Sequence, residues 1–175
     1  MDALIFIVDA FLTFLVYAFL LRVLLPLARA DFRNPLAQAV LALTSWLVMP
    51  LRRVLPLIGR LDSASVVALV LVQLGATLAL FRLQYGALLP FGPLAITALR
   101  SLVLSLLLLY TVLIFVYALL SFVAPGARSP VTALLASLCE PVLRPLRRVL
   151  PIVGGLDFSP LVAIIGLQAL RILIA

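Results

Sequence analysis

Two arginine pairs, each bracketed by prolines, interrupt a chain that is otherwise almost wholly apolar. They read Pro50-Leu51-Arg52-Arg53-Val54-Leu55-Pro56 and Pro145-Leu146-Arg147-Arg148-Val149-Leu150-Pro151. Adjacent guanidinium groups suit recognition of phosphate or carboxylate, because each presents a planar fork of donors. Arg52, Arg53, Arg147 and Arg148 are therefore candidates for holding an anionic phospholipid headgroup or an acidic face of another protein. The same side chains can instead fix membrane topology and pair with Asp62 and Asp157 nearby. Prolines at this spacing disfavour an ordinary helix interior, so each pair is expected in a stiff Pro-Arg-Arg turn.

The segments that follow have the form of helix starts. Gly59-Arg60-Leu61-Asp62-Ser63 and Gly154-Gly155-Leu156-Asp157-Phe158-Ser159-Pro160 combine a chain-turning glycine, a capping side chain and, in the second case, a first-turn proline. Gly59, Asp62, Gly154, Asp157, Ser159 and Pro160 are thus read as turn and capping residues. Farther on, Gln73 and Gln168 fall inside apolar runs, about 16 Å along their helices. A buried amide needs partners, so each either bonds helices together or lines a polar path. Asp9, Thr13 and Tyr17 recur at helical spacing in the first apolar run, and an intramembrane acid is a functional candidate by default.

Much chemistry is excluded. Without histidine, the chain alone cannot supply a His-ligated metal or haem, or a Ser-His-Asp triad. It also lacks a phosphate-binding glycine loop and a CxxC pair. Cys139 is the only cysteine, so no intrachain disulfide forms. No enzyme, catalytic residue, metal site or cofactor is expected. Net charge is +7 and every cationic side chain is arginine. These charges lie between apolar segments, where they orient the chain and meet anionic lipid, so direct nucleic-acid binding is not expected.

Hydrophobic residues form 66% of the 175 residues and charged ones 11%, with mean hydropathy +1.36. That is membrane-protein composition. A bilayer core needs roughly 20 apolar residues of helix, and spans are expected at about 3–25, 63–82, 101–123 and 158–175. Two shorter apolar segments, about 36–49 and 131–140, are opened by Asn34-Pro35 and Ser129-Pro130 and closed by Pro50 and Pro141. At roughly 15–21 Å they are too short to span, and are expected to lie in the interface, with re-entrant segments as the alternative.

Pro50–Gln73 recurs as Pro145–Gln168, sharing both arginines, both prolines, a glycine, the aspartate and the glutamine. The expected fold is an all-α membrane protein of two tandem parallel repeats, 1–85 and 98–175. Each repeat has two transmembrane helices joined by a short interfacial helix and a Pro-Arg-Arg turn. Two spans per repeat make the copies enter the membrane in the same sense. Arginine-rich connections then face the cytoplasm and both termini face outside. A homo-oligomer is possible on this reading.

The doubled motif resembles the YggT (YlmG) family of bacterial and plastid membrane proteins. The resemblance rests on Arg33-Asn34-Pro35 and Thr44 through Pro50-Leu51-Arg52-Arg53. In the second copy it rests on Cys139-Glu140-Pro141-Val142-Leu143-Arg144-Pro145-Leu146-Arg147-Arg148, then Pro151, Gly154-Gly155, Asp157, Ser159-Pro160 and Gln168. Cys139 stands where the family usually has threonine. The resemblance implies a bacterial inner-membrane protein without an agreed biochemical activity. Family members are linked to osmotic-stress tolerance, cell-division gene neighbourhoods and, in plastids, nucleoid distribution and assembly of a haem-containing membrane complex. A scaffold or assembly factor with an unidentified membrane or cytoplasmic partner is the first expectation. A small channel or transporter subunit is the alternative.

Overall fold

The computed structural model describes residues 2–55, 62–123, 129–149 and 157–175. Six helices follow in order: α1 Asp2–Leu27, α2 Pro35–Arg52, α3 Ser63–Tyr85, α4 Phe91–Val123, α5 Pro130–Val149 and α6 Ser159–Ile174. No strand occurs among the described residues. Three helices, Ala3–Leu27, Ser63–Tyr85 and Phe91–Val123, are long and apolar enough to cross a membrane. The fourth expected span, α6, is apolar but only 16 residues long, about 24 Å, against a hydrocarbon core of about 30 Å.

Both short helices run farther than their prolines suggested. α2 continues through Pro50 to Arg52, and α5 continues through Pro141 and Pro145 to Val149. A helical proline forfeits a backbone donor and crowds a carbonyl one turn back. Here all three prolines lie on exposed surface. The opposite face of α5 stays in register, with Leu135, Leu138, Cys139 and Leu143 buried at helical spacing. Packing on that face outweighs the local cost. The expected Pro-Arg-Arg turn is therefore corrected: Arg147 and Arg148 sit in the last helical turn, Arg52 ends α2, and only Arg53 lies in a turn.

α4 begins at Phe91, ahead of the expected start near 101, and its 33 residues extend about 50 Å. Pro93 falls in its first turn, where the missing donor would be unpaired anyway. The connection from α3 shrinks to a short turn closed by Gly86, whose φ of 69° is the left-handed conformation glycine tolerates best. Its N–H donates to the Arg82 carbonyl.

The chain forms two compact units, residues 1–23 with 40–105, and residues 24–39 with 106–175. These divisions differ from the sequence repeats in two places: 24–39 clusters with the second half, and 98–105 clusters with the first. Asn34 makes the first of these joins concrete, because its Nδ2 donates to the Pro130 carbonyl at 2.6 Å while its Oδ1 accepts the Leu36 N–H and starts α2. Ser129 and Thr132 start α5 by exchanging side-chain and backbone bonds.

In the first unit, α3 buries Ala64, Ser65, Ala68, Leu69, Val72, Gln73 and Ala76. Those positions form one helical stripe, and two of them are polar. Phe19 of α1 is fully buried and meets Trp46 of α2 edge-on at 6.4 Å. By contrast, Phe6, Phe11 and Phe14 on α1 are exposed, as lipid-facing side chains are. In the second unit, Ile114, Cys139, Leu143 and Ala163 form a core flanked by Tyr117 and Leu167. Cys139 is fully buried, and burial pushes its thiol up to about 12, so it packs as a small apolar side chain.

α1 ends in a paired-bond cap. Ala30 N donates to Leu25 O at 3.0 Å and Arg29 N to Pro26 O at 3.2 Å. Arg29 occupies the left-handed position with φ of 53°. A side chain with a Cβ pays a steric cost there of roughly 1–2 kcal/mol, partly offset by the greater unfolded-state freedom of glycine. Arg29→Gly should therefore raise stability by about 0.5–1 kcal/mol, read as a small rise in thermal midpoint in detergent. A fall would show that the Arg29 side chain stabilises the cap by more than its backbone costs.

Candidate functional site

The repeated motif acquires a geometric meaning in both units. Ten residues separate the first arginine of each pair from the aspartate that follows, and the two side chains meet. In the first unit Arg52 Nε donates to Asp62 Oδ2 at 3.1 Å and Arg52 Nη2 to the same oxygen. In the second, Arg147 Nε donates to Asp157 Oδ2 at 2.8 Å, and Arg147 also reaches Glu140 at 3.3 Å. Arg147 additionally lies 5.9 Å from the Tyr117 ring centroid, in cation–π range. The second arginines, Arg53 and Arg148, are exposed at the helix ends, as is Arg144. Gly59 and Gly154 lie outside the described residues.

The two aspartates do not cap their helices as the sequence suggested. Asp62 occupies the position preceding α3 but makes no side-chain cap bond. Its Oδ2 is taken instead by Arg52 and by Ser65 Oγ, which donates at 2.6 Å. Before α6 the capping position belongs to Phe158. Asp157 Oδ1 accepts the Ser159 N–H at 2.9 Å, a local turn that precedes the helix. Pro160 sits in the first turn of α6, and both Ser159 and Pro160 are buried.

Behind the first bridge lies a group the sequence reading passed over. Arg22, in the span α1, is 5% exposed. Its Nε donates to Ser65 Oγ at 3.0 Å, and its Nη1 donates to Thr44 Oγ1 at 2.7 Å and Leu41 O at 2.9 Å. Thr44 is itself fully buried. A continuous chain of bonds thus runs Arg22–Ser65–Asp62–Arg52 through α1, α2 and α3. Burial works against the Asp62 carboxylate, but hydrogen bonds from Arg52 and Ser65, and the charges of Arg52 and Arg22, hold it below the usual carboxylate range. Asp157 is likewise held low: burial opposes its charge, and bonds from Ser159 and Arg147 prevail. A charged residue in an otherwise apolar span was the signal for Arg22, since such a position is costly unless satisfied.

Nearer the start of α1, a cleft of about 330 Å³ opens between α1, α3 and the first turns of α4. Asp9 and Thr13 line it from α1, Gln73, Thr77 and Gln84 from α3, and Thr97, Ser101 and Ser105 from α4. Thr13 Oγ1 donates weakly to Asp9 Oδ1 at 3.5 Å, and Gln73 Nε2 donates to Thr77 Oγ1 at 3.2 Å. Asp9 and Gln73 are thereby brought to one site. Gln168 is half-buried on α6, in the second unit, and does not line this cleft. The α4 residues recur at i, i+4 and i+8, a stripe legible in sequence once α4 is known to begin at Phe91. Among the described residues, no three of His, Cys, Asp or Glu come together in a metal-holding group.

Comparison with known proteins finds relatives that cover most or all of the chain. An uncharacterized protein of Pseudomonas aeruginosa is 38% identical over 165 residues, covering 89% of this chain and 79% of that one. The uncharacterized protein YggT of Escherichia coli K12 is 34% identical over 176 residues, covering all of this chain and 90% of its own length. A Vibrio alginolyticus protein described only by its place in the proC 3′ region is 34% identical over 169 residues, covering 96% and 91%. No solved structure matches. The family model described as CCB3/YggT matches residues 1–83 and 96–175, the two stretches that carry the repeated arginine–aspartate motif, and the chain belongs to the CCB3/YggT family.

Proposed function

We propose that the protein is a non-catalytic scaffold of the bacterial inner membrane that holds anionic phospholipid headgroups at the arginine-bearing ends of α2 and α5. The carrying observation is the division of labour within each pair. Arg52 and Arg147 are tied to aspartates ten residues on, while Arg53 and Arg148 stand exposed beside them. The tied arginine has its donors engaged by the aspartate, and the exposed one is left to meet a phosphate. The apolar surroundings favour a membrane surface. Trp46, Met49 and Val54 are 62%, 65% and 81% exposed around the end of α2, and Val149 is 81% exposed at the end of α5. Tryptophan next to arginine suits the headgroup boundary, and α5 is the most amphipathic of the six helices. On this reading both arginine ends face the cytoplasm and the termini face outside, with α6 crossing under local thinning of the bilayer.

The test is lipid retention by an Arg53→Gln/Arg148→Gln variant, which leaves both aspartate bridges in place. Each arginine near an anionic surface contributes about 1 kcal/mol, so the pair should lower affinity for phosphatidylglycerol vesicles about 30-fold. Binding to phosphatidylcholine vesicles should be unchanged. Equal retention of anionic lipid by wild type and variant would overturn the proposal. Loss of a crosslinked protein with unchanged lipid retention would assign the arginines to a protein partner instead.

A further inference from the structure

We propose that α2 and α5, although they hold the same place in the repeat, have opposite surroundings: the outward face of α2 lies among lipid acyl chains, and that of α5 faces water. The inference goes beyond the headgroup reading and would hold if neither arginine pair met a phosphate. It begins with the register of the two helices, which makes their faces comparable position by position. Extended backwards from Pro50 and Pro145, the repeat pairs Thr44 with Cys139 and Val48 with Leu143, and all four are fully buried. The same side of each helix therefore faces its own unit.

The side opposite that buried line has diverged. In α2 it carries Ala42, Trp46 and Met49, spaced to share one helical face. Trp46 and Met49 are strongly exposed, and Leu43 widens the apolar strip. In α5 the matching positions are Ser137, Pro141 and Arg144. Arg144 is exposed, and so is Glu140, which stands where α2 has Ser45. One outward face is thus apolar, and its counterpart carries charges of both signs.

Charge placement identifies what covers each face. Asp31 and Arg33 precede α2, Arg52 and Arg53 end it, and no ionisable side chain lies between. Over 18 residues, about 27 Å, the pattern matches a helix lying in the bilayer boundary. Its two ends meet headgroups, and its apolar strip sinks about 5–10 Å below them. The hydroxyls of α2 fit this setting. Thr44 Oγ1 donates to Val40 O and Ser45 Oγ to Leu41 O, each at 2.6 Å, so neither needs water. Gln38 is exposed but sits in the first turn, beside the charged end. On α5, a carboxylate and a guanidinium on the outward face would be costly among acyl chains. Its apolar side is already used, with Cys139 and Leu143 packed against Ile114 and Ala163.

Trp46 is the only tryptophan, so the unaltered chain carries its own probe. In phosphatidylcholine nanodiscs, lipid brominated near the top of the acyl chains should lower Trp46 emission at least twofold. Iodide in the buffer should leave that emission nearly unchanged. A second measurement compares matched positions. Met49→Cys and Arg144→Cys, treated with a charged methanethiosulfonate reagent in the same nanodiscs, should differ at least tenfold in labelling rate, with Arg144→Cys the faster. Cys139 is buried, and its failure to react reports that each variant is folded. No anionic lipid is present, so failure of the headgroup reading leaves both measurements untouched. Quenching of Trp46 by iodide instead of bromolipid, or equal labelling at the two positions, overturns the proposal. Shielding of Trp46 from both quenchers would assign the α2 face to a second copy of the chain, and overturns it as well.

Discussion

Replacing Asp62 by asparagine is expected to cost about 3 kcal/mol of unfolding free energy, whereas Asp157→Asn should cost about 1 kcal/mol or less. The positions are equivalent in the repeat, and each accepts a bond from an arginine ten residues earlier. Their surroundings differ. The Asp62 side chain is 10% exposed, while that of Asp157 is 35% exposed and open to solvent screening. Asp62 also answers two cations, Arg52 directly and Arg22 through Ser65. Neutralising it leaves a buried guanidinium in the first unit without its counter-charge, and removing one partner of a buried pair typically costs 3–5 kcal/mol. The lower end applies, because Arg52 is half in solvent and asparagine keeps an acceptor. Asp157 answers Arg147, which has Glu140 and the Tyr117 ring in reserve.

The molecule carries its own reporters for that comparison. Trp46, the only tryptophan, belongs to the first unit and packs against Phe19. Its emission under denaturant follows Asp62→Asn. Cys139, the only cysteine, is buried in the second unit, so its alkylation under denaturant follows Asp157→Asn. The pH dependence has a definite sign. A carboxylate whose folded pKa is depressed contributes stability that is complete above its unfolded value, about 3.9, and is lost as pH falls through the lower folded value. The gap between wild type and Asp62→Asn should thus be constant at neutral pH and shrink below about pH 4. Equal losses at the two aspartates, or a gap that persists undiminished at pH 2, would show that the charge network is not what holds the first unit.

What could be read from residues alone divides along local and tertiary lines. Composition and long apolar runs announced an all-helical membrane chain, because a bilayer imposes its thickness on sequence directly. The repeated R-R…G…D spacing announced the arginine–aspartate bridges as one of two alternatives. The extents of α2 and α5 were misjudged because proline's local cost is visible in sequence, whereas burial of Leu138, Cys139 and Leu143 on the opposite face is not. The same holds for α4, whose early start at Phe91 brings Thr97 and Ser101 level with Asp9 and Thr13. α6 looked like a span because its residues are apolar, and it starts where expected, but at 16 residues it is shorter than the roughly 20 a bilayer core needs. The Arg22 network was beyond reach: Leu41, Thr44 and Ser65 lie 19, 22 and 43 residues away, and nothing in their types declares a shared partner.

Arg22 itself allows a sharper test of why so costly a residue is present. Arg22→Ala is expected to cost about 3–4 kcal/mol, combining three lost charge-assisted bonds with the cavity left by a long side chain. Arg22→Lys keeps the charge, but a single ammonium cannot span from Ser65 on α3 to Thr44 and Leu41 on α2 as the forked guanidinium does. A cost of about 2–3 kcal/mol follows. Arg22→Met keeps most of the volume and removes the charge, and relief of the desolvation penalty offsets much of the lost bonding. Its cost should be about 1 kcal/mol. The expected order of damage, read from Trp46 emission under denaturant, is alanine, then lysine, then methionine. If methionine is tolerated in this way, packing alone does not require a cation at position 22. The guanidinium then matters for its charge rather than for holding the helices together. Should methionine prove as damaging as alanine, the charge is itself a structural element, and the first unit depends on the Arg22–Ser65–Asp62 chain to close its helices.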